Sequence, residues 1–243
     1  MGLREDRPSG RLPRSSPSSV ALGWNRPVDR VTIERMTRPL IVGVLALQGA
    51  YAKHAEVLKV LGAEPILVRR PEQLAQLDGL ILPGGESSTF LKHLERDGFF
   101  DVLHAFVRQT PTFGTCAGAI LLATQVENPA QRSLAAMDIT VERNAYGRQI
   151  DSAVLTAETS LPGGPLEMVF IRAPRIAHAG PQVEVLARRD DAPVLVRQGH
   201  LLAATFHPEL SADTSDLRIH QLFLDLVSQH LVPEDSAGTS NPV

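Results

Sequence analysis

A chain of 243 residues that is 43% hydrophobic carries enough apolar material for one large α/β domain. A formal net charge of -3 and 5% aromatic content leave neither the basic face nor the stacking platforms that nucleic-acid binding needs. No apolar run approaches the ~18 residues of a membrane span and no apolar leader opens the chain, so no membrane association and a cytoplasmic location are expected, in keeping with a single cysteine.

In chain order, residues 1–38 differ from the rest: Arg4, Arg7, Arg11 and Arg14 are scattered among Pro13, Pro17 and serines, a composition expected to give a disordered N-terminal extension. Residues 40–47 form an apolar run rich in Val and Leu, the pattern of a parallel strand buried on both faces. A helix is expected over 51–61, with Ala55, Leu58 and Leu61 on its apolar side, followed by a strand at 66–68, a short helix entered at Pro71 and a strand at 79–82. Strand and helix thus alternate as in a doubly wound sheet. Pro83-Gly84-Gly85-Glu86-Ser87-Ser88 comes next, either a ligand-facing loop at a strand's carboxyl end or simply a tight turn capped by Ser87 or Ser88. It lacks the Gly-Lys-Ser/Thr ending of a phosphate loop. Helices are expected at 89–95 and at 99–109, the second burying Phe99, Val102, Phe106 and Val107.

Phe113-Gly114-Thr115-Cys116-Ala117-Gly118-Ala119 then joins a strand end to a helix-forming run through Gly-x-Cys-x-Gly, the pattern of a nucleophile elbow. A lone cysteine is ordinarily a small buried hydrophobe. At an elbow it becomes a candidate nucleophile, since the glycines allow the sharp turn that exposes the central residue. Residues 124–133 are expected to be polar loop, and beyond them short strands predominate: 137–141, 153–156, 168–171, 183–187, 193–197 and 201–205. Several of these should pair antiparallel through hairpins at 189–191 and 198–200. An amphipathic helix at 217–231 closes the fold, and 233–243 is expected to be a flexible tail, leaving residues 39–232 as the folded domain.

A nucleophile needs a base and an orienting acid, and Thr205-Phe206-His207-Pro208-Glu209 supplies both after the last strand. Cys116, His207 and Glu209 are therefore a candidate triad, with the Ala117 N-H and the Gly49 or Gly84-Gly85 region as oxyanion donors. A His-x-Glu pair also suits a metal, but no third ligand lies nearby in sequence and no metal is expected. The remaining histidines, His54 and His220 among them, have no motif around them and are assigned surface or structural places.

Six segments together resemble the glutaminase subunit family of pyridoxal 5'-phosphate synthase, within the class I glutamine amidotransferases. They are Gly-Val-Leu-Ala-Leu-Gln-Gly (43–49), Leu-Pro-Gly-Gly-Glu-Ser (82–87), Phe-Gly-Thr-Cys-Ala-Gly (113–118), Val-Glu-Arg-Asn-Ala-Tyr-Gly-Arg-Gln (141–149), Phe-Ile-Arg-Ala-Pro (170–174) and Phe-His-Pro-Glu-Leu (206–210). The resemblance implies a doubly wound, mostly parallel sheet with flanking helices and added antiparallel strands. It also implies hydrolysis of L-glutamine to glutamate and ammonia, the ammonia passing to a synthase subunit as partner, with no cofactor of its own. By motif, Cys116 is the nucleophile, His207 the base and Glu209 its orienting acid, while Gly85, Glu86, Ser87, Arg143, Ile171 and Arg172 contact glutamine. It further suggests that Gln48 and Gly49 gate the oxyanion hole on partner binding. Two other readings use the same residues: a free-standing amidase or γ-glutamyl hydrolase, and a reactive-thiol stress-response binding module. The module has no need of a distal base and acid.

Overall fold

The computed structural model describes residues 38–143, 145, 152–211 and 216–232. The expected extension, but for Arg38, and the expected tail at 233–243 lie outside the described residues. The first half alternates strand and helix: β1 (Ile41–Leu45), α1 (Tyr51–Val60), β2 (Glu64–Val68), a 3-10 turn (Pro71–Gln76) and β3 (Gly79–Leu82). Then come α2 (Ser87–Leu94), α3 (Phe99–Val107), β4 (Thr112–Thr115) and α4 (Ala117–Leu122). The second half is mostly strand: β5 (Ala123–Glu127), β6 (Met137–Glu142), β7 (Ala153–Ala157), β8 (Leu166–Phe170), β9 (Arg175–Ala179), β10 (Glu184–Arg189), β11 (Ala192–Gln198) and β12 (Leu201–Ala204). A 3-10 turn (Pro208–Leu210) and helix α5 (Arg218–Leu231) complete it.

Alternate residues of the central strands feed two separate apolar clusters. Val42 and Val44 of β1 and Ile81 of β3 join one, and Leu45, Leu80 and Leu82 the other, all with no exposure. Burial on both faces is why these strands read as unbroken apolar runs. The first cluster takes in Leu58 of α1, Phe223 and Val227 of α5, and Met168 and Phe170 of β8. The second takes in Phe90 of α2, Phe99 and Leu103 of α3, the α4 residues, and Met137 and Ile139 of β6.

The main sheet has seven strands in the order β10-β11-β12-β4-β3-β1-β2. The five from β12 to β2 are parallel, and β11 and β10 extend the edge antiparallel through the two expected hairpins. Two small sheets, β5-β6-β9 and β7-β8, are added. The order 2-1-3-4 reverses direction at β1, so the crevice at the β1/β3 carboxyl ends is where a doubly wound sheet holds ligands.

Four expectations need correction. The stretch expected as polar loop at 124–133 begins with β5, whose Thr124 and Gln125 are exposed and which is held by parallel pairing to β6. Strand β9 was not anticipated, because only Ile176 of its five residues is buried. Helix α2 starts at Ser87, with Glu86 as its N-cap instead of Ser87 or Ser88. In α3 the buried face is Phe99, Phe100, Leu103 and Val107, whereas Val102 is exposed and Phe106 only partly covered.

Candidate active site

The elbow forms where β4 meets α4. Cys116 has φ 48 and ψ -103, a region that residues with a side chain rarely occupy, and its N-H donates to the Ala204 carbonyl at 2.8 Å. Close packing holds the turn. A β-carbon on Gly118 would lie 1.9 Å from the Leu82 carbonyl oxygen, and one on Gly114 would lie 2.6 Å from the Gly118 backbone, so strand, turn and helix approach as only glycine allows. Cys116 is buried, at 6% exposure, and lines the pocket.

His207 follows β12, the parallel neighbour of β4, which brings the ends of the two strands side by side. Its N-H donates to the Val169 carbonyl at 2.8 Å, and its own carbonyl accepts from Leu210 at 3.1 Å, closing the Pro208–Leu210 turn. Proline at the first position of that turn presets the backbone, and Glu209 folds back so that its Oε1 lies 2.7 Å from His207 Nδ1. A carboxylate only accepts, so Nδ1 carries the proton and Nε2 is left for the Cys116 sulfur. Burial disfavours a charged His207, but its contacts with Cys116 and Glu209 outweigh burial and push its pKa up to about 10. Glu209 is held below the usual carboxylate range despite burial, by His54 and His207.

The loop after β3 forms the opposite wall. Glu86 caps α2, accepting from the Ser88 and Thr89 backbone N-H groups at 3.2 and 3.1 Å and from both hydroxyls. The Ser88 hydroxyl bond, opposed by burial and reinforced by the other three, depresses the Glu86 pKa to about 2. Arg143 donates to the same carboxylate at 3.3 Å. Gln48 clamps the loop from β1: its amide donates to the Glu86 carbonyl at 2.8 Å and accepts from the Glu86 N-H at 3.2 Å. Ser87 is buried and bonds Gln131 at 3.0 Å. Gly49, at φ +83, lies so close to this loop that a β-carbon there would sit 1.8 Å from the Gly84 carbonyl oxygen.

A cavity of about 330 Å³ opens between these walls. Of the residues singled out in the sequence, Gly49, Gly85, Glu86, Ser87, Cys116, Arg143, Ile171, Arg172 and His207 line it. Gln48, Ala117 and Glu209 stand behind the lining, Ala117 and Glu209 buried. Arg172 is exposed, adopts φ 45 and makes no ion pair with another described residue. Asn144 and residues 146–149 of the Arg143 motif lie outside the described residues.

Sequence reasoning missed two residues. His54 and His220, assigned surface or structural places, are 0% and 1% exposed, and His54 Nε2 lies 3.4 Å from Glu209 Oε2. The available signal was position: His54 shares a helix face with Leu58, and His220 sits in the apolar stripe of Ile219, Phe223, Leu224 and Val227.

The profile of the SNO glutamine amidotransferase family matches residues 44–229. The chain is 64% identical over 186 residues to a pyridoxal 5'-phosphate synthase subunit PdxT from Koribacter versatilis (strain Ellin345), across 76% of this chain and 95% of the relative. To a protein of the same name from Solibacter usitatus (strain Ellin6076) it is 53% identical over 189 residues, across 75% and 97%. A crystal structure described as glutamine amidotransferase superposes with a TM-score of 0.71 at 48% identity, covering 76% of this chain and 98% of that one.

Proposed function

Because the chain belongs to the SNO glutamine amidotransferase family, we infer that it is the glutaminase subunit of pyridoxal 5'-phosphate synthase. It hydrolyses L-glutamine to glutamate and ammonia, and the ammonia passes to the synthase subunit. The observation that carries a thiol mechanism is the strained Cys116 beside a His207 whose Nδ1 is 2.7 Å from Glu209.

In this reading His207 takes the Cys116 proton, and the sulfur attacks the side-chain carboxamide of glutamine. The tetrahedral oxyanion accepts from the Ala117 N-H and from a second donor in the Gly49 or Gly84-Gly85 region, each worth about 3 kcal/mol in the transition state. His207 returns its proton to the departing nitrogen, ammonia leaves, and a γ-glutamyl thioester remains. Water, deprotonated by the same imidazole, attacks the thioester and releases glutamate and the thiol. Glu209 holds the ring without taking its proton. Arg172, exposed and without an ion-pair partner among the described residues, suits the substrate α-carboxylate, with Arg143 fixed by Glu86 beside it. Glu86 remains anionic at neutral pH and half exposed, so it can still face the substrate ammonium. Gly85, Ser87 and Ile171 complete the wall.

Gln48 and Gly49 are the proposed gate: the Gly49–Ala50 peptide is tied to the Gly84 carbonyl by one long bond of 3.3 Å, and docking of the synthase subunit would turn an N-H toward the oxyanion. We assign the activity to residues 39–232, in a cytoplasmic protein; no helix among the described residues is long and apolar enough to cross a membrane. The test is titration of purified synthase subunit into this chain while glutamate release is followed. Saturable stimulation with ammonia incorporated into the cofactor supports the amidotransferase. Full glutaminase activity indifferent to a partner that binds would indicate a free-standing amidase.

A further inference from the structure

Glu209 commits one carboxylate oxygen to His207 and keeps the other, Oε2, buried without a completed hydrogen bond. The group the fold brings to Oε2 is the ring of His54, with Nε2 at 3.4 Å. Nε2 also lies 3.2 Å from the hydroxyl of Thr115, the residue before the nucleophile. On its other side, His54 Nδ1 lies 2.9 Å from Nε2 of His220. Three groups from α1, α5 and the Pro208–Leu210 turn thus meet end to end beneath the triad, in surroundings that bury His54 and His220 almost completely.

The Thr115 hydroxyl can donate to Nε2 or accept from it, so the choice of tautomer at His54 rests on the Glu209 side. Burial lowers the pKa of both His54 and His220 and so favours neutral rings, each with one N-H and one lone pair, against the pull of the Glu209 carboxylate toward the charged form. A carboxylate oxygen only accepts; if His54 turned its lone pair to Oε2, two acceptors would face each other in a dry interior, which is unfavourable. The nearby carboxylate therefore favours the proton on His54 Nε2, with Thr115 Oγ1 accepting, which leaves Nδ1 to accept from His220 Nε2. With its proton on Nε2, His54 bonds the Thr115 hydroxyl at 3.2 Å and turns the same N-H edge to Glu209 Oε2 at 3.4 Å, a contact that stops short of a hydrogen bond, while His220 donates to its Nδ1. An aliphatic residue would fill a helix stripe without the desolvation cost of an imidazole, so packing alone does not explain a buried ring beside Glu209 Oε2 with a second ring bonded behind it.

We propose that His54 is a positioning residue of the glutaminase reaction: its Nε2-H fixes Glu209 Oε2, and thereby the carboxylate that orients His207, while His220 locks His54 in the required tautomer. The proposal rests on the Cys116, His207 and Glu209 reading. Outer partners that orient metal-binding groups are worth about 10- to 100-fold in activity, and a factor of that order is expected for this carboxylate.

The experiment measures kcat and KM for glutamine in the full chain saturated with synthase subunit, with melting temperature as a folding control. His54→Leu should lower kcat about 10- to 100-fold with KM within about twofold, whereas His54→Gln, which can still donate toward Oε2, should recover most of the rate. In a Glu209→Gln background, His54→Leu should cost less than about threefold more, because it acts only through the group already changed. His54→Asn is the second probe should the leucine variant not fold; its shorter amide falls short of Oε2, and kcat should drop as for leucine. A kcat within twofold of the parent for the leucine or asparagine variant overturns the proposal. So do losses that multiply in the double variant, or an effect confined to KM. A Cys116→Ala control separates the two levels: a dead control with a fully active His54 variant sinks only the positioning role, and an active control sinks both.

Discussion

At Cys116 the backbone holds φ 48 and ψ -103, a conformation that costs a residue with a side chain roughly 1–3 kcal/mol and lasts only because its surroundings dictate it. The strain belongs to the turn, so Cys116→Ala should lose all glutaminase activity while its melting temperature stays within a few degrees of the parent. Cys116→Gly should melt higher than Cys116→Ala, since glycine adopts positive φ without penalty; equal melting temperatures would show that the turn stores no strain. His207 and Glu209 differ in what they do. In the proposed mechanism the base acts in both half-reactions and the carboxylate only orients it, so His207→Asn should lower kcat by orders of magnitude more than Glu209→Gln. A Glu209→Gln enzyme as active as the parent would reduce Glu209 to a turn residue.

Helix α2 depends on an acidic cap that also belongs to the site wall. With four donors of the first helical turn and Arg143 on its carboxylate, Glu86→Ala should lower stability by about 1 kcal/mol, the usual scale for a lost N-cap. The Glu86 pKa is depressed from 4.5 to about 2 in the folded chain, so its charged form stabilises the fold above pH 4.5 and that contribution fades as pH falls toward 2. Denaturant titrations between these pH values should therefore show a shallower slope for Glu86→Ala than for the parent. The cap also marks how far the elements were legible in the sequence. The parallel strands were readable because burial on both faces leaves unbroken apolar runs, and the elbow because its glycines are spaced by the turn itself. Strands β5 and β9 were not, since each shows few buried residues and owes its extended form to pairing with β6. Nor could local sequence show Glu86 as the cap in place of a serine, or His54 against Glu209 from far along the chain, because a histidine in an apolar stripe looks the same whether it faces a leucine or a carboxylate.

The whole molecule gathers its chemistry at the carboxyl ends of β1, β3, β4 and β12, neighbours in one sheet although β12 is remote in sequence. Core packing fixes the relative positions of Cys116 and His207, whereas the two loops proposed to hold the second oxyanion donor, Gln48–Gly49 and Gly84–Gly85, are tied to each other by side-chain and backbone bonds. A partner seated over the strand ends can therefore alter the donor without disturbing the triad. Substituting Gly49 is a poor probe of this gate, because any β-carbon meets the Gly84 carbonyl and displaces the cavity wall as well. Two rates measured on the unaltered chain separate the alternatives. Glutamine hydrolysis builds an oxyanion, and one missing donor costs on the order of a hundredfold to a thousandfold, so saturating synthase subunit should raise glutamate release by that factor. Alkylation of Cys116 by iodoacetamide builds no oxyanion and reports only thiol ionisation and access, so its rate should change less than about threefold on the same titration. If alkylation instead accelerates in step with glutamate release, the partner assembles or uncovers the thiol and its base, and the gate lies at Cys116 and His207 instead of at Gly49.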